Sequence, residues 1–231
     1  ILITLGVAYY RYARMPYIYR SGVTAIIKNA GDDIRTARLD TYDQMVNKVS
    51  VSNEELQLKS ITIMSEVVKA LDADVNYLDH IKFRSVELYT SLSPVRIAFD
   101  REREDPGIFS ITVMPLDADH IRMHTETGSQ TVALGDTVAL GTGRVVFLPT
   151  ERYGPDYYGQ QIEIQKIPVT WAANGFISRL SISDEKNVLW LSERDINAQR
   201  AADIVNMLVI KYNEAAVREK NRVAVNTERF I

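Results

Sequence analysis

Residues 197–231 read NAQRAADIVNMLVIKYNEAAVREKNRVAVNTERFI, with no glycine and no proline. Asn197 suits an N-cap, because its side-chain oxygen can accept from an orphan amide of a first helical turn. Ala201, Ile204, Val205, Leu208, Tyr212, Ala215, Ala216 and Val223 follow at offsets of three and four, which lays one apolar stripe along a helix. At ~1.5 Å per residue the helix is a rod of roughly 50 Å, longer than the ~30 Å of a small domain. Past Ala216 the chain turns polar, with Arg218, Glu219, Lys220, Asn221 and Arg222 in a row. Such a rod crosses a domain and projects beyond it, or packs against partners. A shorter helix ending near Lys220 is the plainer alternative.

The residues ahead of it have a different period. From Phe109 to Leu191, Ile111 and Val113, Ile121 and Met123, Val132 and Leu134, Val138 and Leu140, and Val145 and Phe147 alternate between Gly, Pro, Asp or Asn clusters. Short alternating runs at regular intervals predict an antiparallel sandwich or barrel-like meander. Ile162, Ile164 and Ile167 predict a further strand, and Phe176–Ser183 and Val188–Ser192 close the series around a turn at Asp184–Asn187. Upstream, Ser52 and Glu55 form a capping box, and Leu56, Ile61, Met64, Val67, Val68 and Leu71 share a face, predicting a helix over Asn53–Leu71. Tyr17–Lys28, Val75–His80, Phe83–Tyr89 and Val95–Phe99 read as extended. Residues 29–51 read as loop with a helical turn near Tyr42–Lys48. The fold class expected is α+β: a mostly antiparallel β region at about 109–191, a helix near 53–71 and a long C-terminal helix near 197–226. The strongest change of pattern falls near residue 107.

The chain begins ILITLGVAYY and then meets Arg11 and Arg14. Ten apolar residues are too few for a bilayer, which needs ~20. They fit the exit half of a cut membrane helix over residues 1–16, with Tyr9, Tyr10, Tyr12, Tyr17 and Tyr19 at the interface. A buried first strand fits them equally well. The ends, Ile1 and Phe230-Ile231, read as those of a piece of a longer protein.

Composition narrows the chemistry. The 231 residues carry a net charge of -3, and their charges are interspersed, so nothing favours nucleic acid as a partner. With no cysteine there is no disulfide, thiolate nucleophile or Cys-ligated zinc. Gly135-Asp136 and Gly141-Thr142-Gly143-Arg144 precede a strand rather than a helix, so they read as turns and not as a phosphate cradle. His120 and His124 on a strand stand ~13 Å apart on one face, too far for one metal. Glu102, Glu104 and Asp105 read as a solvated loop. No catalytic residue, metal ligand or cofactor site emerges. Tyr153, Tyr157, Tyr158 and Trp171, around Gly154-Pro155-Asp156, form an aromatic-rich loop region and are the candidate sugar-contact residues; packing caps are the alternative. That leaves a carbohydrate-binding β-sandwich as one functional reading.

Several stretches carry a likeness. They are LQLKSITIMSEVVKAL at 56–71; Glu87 to Tyr89 with Ser93 to Val95; Val205-Asn206 with Tyr212-Asn213; and Ala224 to Thr227 with Phe230-Ile231. Together they resemble the extracytoplasmic segment of the bacterial polysaccharide co-polymerases, the Wzz/Wzc-type chain-length determinants, above all the branch that carries a tyrosine kinase. The resemblance implies a periplasmic α/β domain between two inner-membrane helices, with the long helix returning toward the second. It implies a ring of like subunits that works with the polymerase and export machinery to set the length of capsular or exopolysaccharide. It also implies a cytoplasmic kinase domain with Walker motifs, which residues 1–231 do not contain. The branch's E-x-x-R-x-x-R pattern is unmet, since Glu219 and Arg222 are followed by Val225 where the second arginine should stand. Asn53–Leu71 and the long helix are expected to form subunit contacts or to pack on each other.

Overall fold

The computed structural model describes residues 2–14, 17–26, 53–81, 84–89, 92–103, 105–185 and 188–228. The helical turn expected near Tyr42–Lys48 and the Ser52 cap lie outside them. The chain divides into two compact units: Asp74–Pro168 with Ile1–Tyr17, and Ile18–Ala73 with Val169–Ile231. Asp74–Pro168 is therefore an insertion in the sequence of the second unit.

The inserted unit is antiparallel throughout. Its strands are β2 (Val75–Ile81), β3 (Arg84–Glu87), β4 (Val95–Ala98), β5 (Phe109–Pro115), β6 (His120–Thr125), β7 (Gly128–Ala133), β8 (Thr137–Leu140), β9 (Gly143–Pro149) and β10 (Ile162–Lys166). Six of them form one sheet in the order β3-β2-β10-β5-β6-β7, and three form another in the order β4-β9-β8. The alternation read from the sequence fills a single core from both sheets: Ile111, Val113, Ile121, Met123, Ile162 and Ile164 meet Val95, Ile97, Val145 and Phe147. This is a sandwich, since apolar inner faces of two sheets can leave water only against each other. It is not a simple meander, because β10 inserts between β2 and β5. The turns are glycine's work. Gly141, at φ +62°, lies so close to the Pro106 carbonyl that a side chain has no room. The amide of Thr142 donates to that carbonyl at 3.1 Å.

The second unit holds β1 (Tyr19–Ile26), β11 (Leu180–Glu185) and β12 (Val188–Asp195) in the order β1-β12-β11. Against it pack α3 (Val169–Arg179) and α4 (Ala198–Glu228), and α2 (Ile61–Leu71) packs on those two helices. The predicted stripe on α4 is the buried one: Ala201, Ile204, Val205 and Leu208 are inside. Asn197 Oδ1 accepts from the amides of Gln199 and Arg200 at 2.9 and 3.0 Å, as an N-cap does. Of the two expectations for the long helix and its partner, packing on each other is observed, with Arg218 paired to Glu66 of α2 at 3.0 Å.

Two local readings need correction. The helix over Asn53–Leu71 breaks at Lys59-Ser60: residues 53–58 are helical, and Ser60 in extended conformation starts α2 by accepting from the Thr62 amide at 3.3 Å. Phe176–Ser183 is not one strand. Helix α3 runs through Arg179, burying Ala172, Ala173 and Phe176 on one side, and β11 begins at Leu180. Gly175 weakens the helical signal there but does not stop the helix, because its packed face pulls the other way.

The segment Leu2–Arg14 is helix α1, which removes the buried-strand reading. Its side chains from residue 4 to residue 12 are exposed. No helix among the described residues is long and apolar enough to cross a membrane.

Candidate functional site

The sequence-predicted aromatic residues do not all belong to one unit. Tyr153, Tyr157 and Tyr158 follow β9 in the sandwich, and Trp171 sits in the first turn of α3 in the other unit, 63% exposed. A short 3-10 turn at Pro155–Tyr157 shapes the tyrosine loop. Tyr153 packs on the sandwich core, and its hydroxyl reaches the carbonyls of Asp117 and His120 at 2.8 and 3.0 Å. Burial, with Tyr158 and two aspartates nearby, pushes its pKa up to about 12, so it stays a donor. Tyr158 meets it edge-on at 6.1 Å between ring centres. Tyr153 and Tyr157 both pack on the sandwich core. Both also share with Asp79, Glu151, Arg152, Asp156 and Gln160 the lining of an open groove of about 570 Å³.

The histidines have local partners. His120 Nδ1 lies 2.9 Å from Asp117 Oδ1, and His124 Nδ1 lies 2.5 Å from Ser129 Oγ. Among the described residues no group of three or more His, Asp or Glu could hold a metal ion.

Two charge clusters went unread in the sequence. In the sandwich unit Asp74, fully buried at the start of β2, takes both terminal nitrogens of Arg101 at 2.6 and 2.7 Å. Lys166, 2% exposed, stands 3.5 Å from Asp74 and 2.8 Å from Asp105. Burial works to raise the Asp105 pKa, but the bonds from Lys166 and the Gly107 amide hold it below the usual range. In the other unit, buried Glu193 and Asp195 of β12 meet Arg179 of α3 at 3.2 and 3.3 Å, and Arg200 of α4 clasps Asp195 at 2.7 and 3.0 Å. The signal for this cluster was present: the alternation that turns Leu189 and Leu191 inward must carry Glu193 and Asp195 inward as well.

Glu193 is the frustrated member. Its Oε2 has no hydrogen-bond partner among the described residues, and burial pushes its pKa up to about 7 against the pull of Arg179. A raised carboxyl pKa means that the folded chain binds the proton more tightly than the unfolded chain does. This contribution is intact below about pH 4.5 and is lost as pH rises toward about 7. Glu193→Gln is expected to flatten that fall and to raise stability at pH 8 by roughly 2–3 kcal/mol relative to its effect at pH 4.5. Urea unfolding of both proteins at the two pH values checks it.

No family model matches this chain, and no curated protein matches it. Among solved structures it is similar to two crystal forms of Xanthomonas campestris FlgL. Both are 13% identical with a TM-score of 0.25; the matches cover 68% and 67% of this chain and 54% and 50% of theirs. The chain spans about half the length of those structures, and so low a TM-score establishes no common fold. The likeness to the chain-length determinants is corrected here. No family model supports it, and residues 75–166 form a β-sandwich in place of the body it implies.

Proposed function

We propose that this chain is a non-catalytic, membrane-associated domain that assembles with its own copies and serves the length control or export of a capsular or exopolysaccharide, on the periplasmic face of a bacterial inner membrane. The observation that carries the reading is the surface of α1. Leu5, Val7, Tyr9, Tyr10 and Tyr12 are each at least half exposed. Contiguous apolar surface of this kind marks a membrane or partner contact. Tyrosine rings settle at headgroup depth, and Arg11 can reach lipid phosphates.

Two further features support it. The buried charges described above close on one another instead of converging on a cavity, as structural ion pairs do. Along α4, Ile210 and Val217 are exposed among Glu214, Arg218, Glu219 and Arg222, a mixed face suited to lateral association. The polysaccharide part rests on the tyrosine groove and the two exposed tryptophans. A second reading, a carbohydrate-binding β-sandwich without assembly, is favoured by the Tyr157 groove alone.

Flotation on phosphatidylethanolamine/phosphatidylglycerol vesicles tests the proposal. The chain is expected to rise with the vesicles and the Leu5→Asp/Val7→Asp variant to stay below. A wild-type chain that stays at the bottom of the gradient contradicts the membrane reading.

A further inference from the structure

The β1-β12-β11 sheet buries one face and leaves the other open. Alternation along β12 turns Leu189, Leu191, Glu193 and Asp195 inward and sends Trp190, Ser192 and Arg194 outward. Trp190 is 51% exposed. Its direct cross-strand partners are Thr24 and Ser183, those of Ser192 are Gly22 and Ser181, and Arg194 faces Arg20. The indole is therefore ringed by small hydroxyl residues and glycine, with two arginines at one end.

That arrangement is costly for a fold alone. Like charges directly opposite each other destabilise a ladder. The other arginines of this unit that pair across elements, Arg179, Arg200 and Arg218, each have a carboxylate; among the described residues Arg20 and Arg194 form no salt bridge. Arg20 instead lies along the sheet, its Nε and Nη2 donating to Ser192 Oγ at 3.0 and 2.7 Å. Gly22 keeps the way clear, since a Cβ there would stand 3.3 Å from that of Ser192. Ser192, which holds the guanidinium, stands two residues from Trp190 on the same strand, ~7 Å along it. Arg20, Gly22, Ser183, Trp190, Leu191 and Ser192 line a groove of about 500 Å³ that has no acidic residue in its wall.

We propose that this face binds an acidic sugar, a hexuronate unit of a polysaccharide. The sugar ring stacks by its C–H face on Trp190, its carboxylate meets the planar fork of Arg20, and its hydroxyls bond to Ser183 and Ser192. Arg194 adds positive field. A phosphate or lipid headgroup needs the arginines but gives no use to an indole standing among serines. The inference deepens the polysaccharide reading above and rests on it.

The test uses the whole chain carrying Trp171→Phe, which leaves Trp190 as the single indole of the two tryptophans. Oligogalacturonate is expected to shift its emission, and maltohexaose to bind far more weakly. By calorimetry on the otherwise unaltered chain, Arg20→Gln is expected to weaken oligogalacturonate binding by about tenfold and Trp190→Ala to abolish it. Both positions are exposed, and circular dichroism checks that each variant is folded. Oligogalacturonate binding that survives both substitutions overturns this site and leaves the polysaccharide reading standing. Absence of binding by either oligosaccharide at millimolar concentration overturns the site and the sugar part of that reading together. Binding to phosphatidylglycerol vesicles without binding to oligogalacturonate, lost on Arg20→Gln, reassigns the face to lipid and overturns the proposal.

Discussion

Replacing Asp74 by alanine is expected to destabilise the sandwich unit by about 3–5 kcal/mol, because it leaves buried cations without their acid. Asp74 is fully buried and holds Arg101 through two bonds of 2.6 and 2.7 Å. Without it, the 2% exposed Lys166 keeps Asp105, whose side chain is 42% exposed and less able to neutralise it. The ring of Phe99, 4.7 Å from the Arg101 guanidinium and 5.3 Å from the Lys166 ammonium, cannot replace a full charge. The position matters for another reason. Asp74 opens the inserted unit and Lys166 closes its last strand, and the Ile167 amide donates to the Asp74 carbonyl at 3.0 Å. Chemical denaturation followed by circular dichroism measures the loss. The cause is uncompensated charge, so Asp74→Ala/Lys166→Met should lose less than Asp74→Ala alone. A double variant that is worse than the single one would show that packing, not charge, is lost.

The second large effect is expected at Asp195, again about 3–5 kcal/mol for alanine. This carboxylate holds Arg200, which is only 7% exposed, accepts from the Asn197 amide at 2.9 Å, and lies 3.3 Å from Arg179. Burial raises its pKa, and burial lowers that of Arg200 to about 10, so removing either partner leaves the other's charge buried without its counter-ion. Because Asp195 sits just before the Asn197 cap, its loss should also loosen the start of α4. Amide hydrogen exchange is expected to accelerate from Gln199 to Ala202 before it does at Leu208. Uniform acceleration along the helix would argue against this local role.

The strands of the sandwich were legible because each carries its own alternation, and a two-sided sheet requires nothing else of the sequence. The long helix was legible for the same reason, at a period near 3.6. The break at Ser60 was not, since a single serine that caps from within an apolar period looks like an exposed helical residue. Nor was the nested order of the chain: β1 pairs with β12 from Tyr19↔Asp195 to Ile26↔Val188, and no local pattern announces a partner so distant in sequence. The same holds for Asp74 and Lys166, which are ordinary charges until the fold buries them. The aromatic loop was found, but Trp171 was grouped with it by nearness in sequence, whereas α3 carries that residue in the other unit. The more exposed chemistry, Trp190 beside two arginines, was hidden in a run that reads simply as a strand.

The exposed apolar surface of α1 is expected to meet lipid. The chain has no cysteine, so Val7→Cys provides a single thiol in the middle of α1 for an environment-sensitive bimane. On addition of phosphatidylethanolamine/phosphatidylglycerol vesicles, the emission is expected to move to the blue and to be quenched by a doxyl group on the acyl chain. Emission that stays at its aqueous wavelength and is quenched only by iodide from the water would contradict the account.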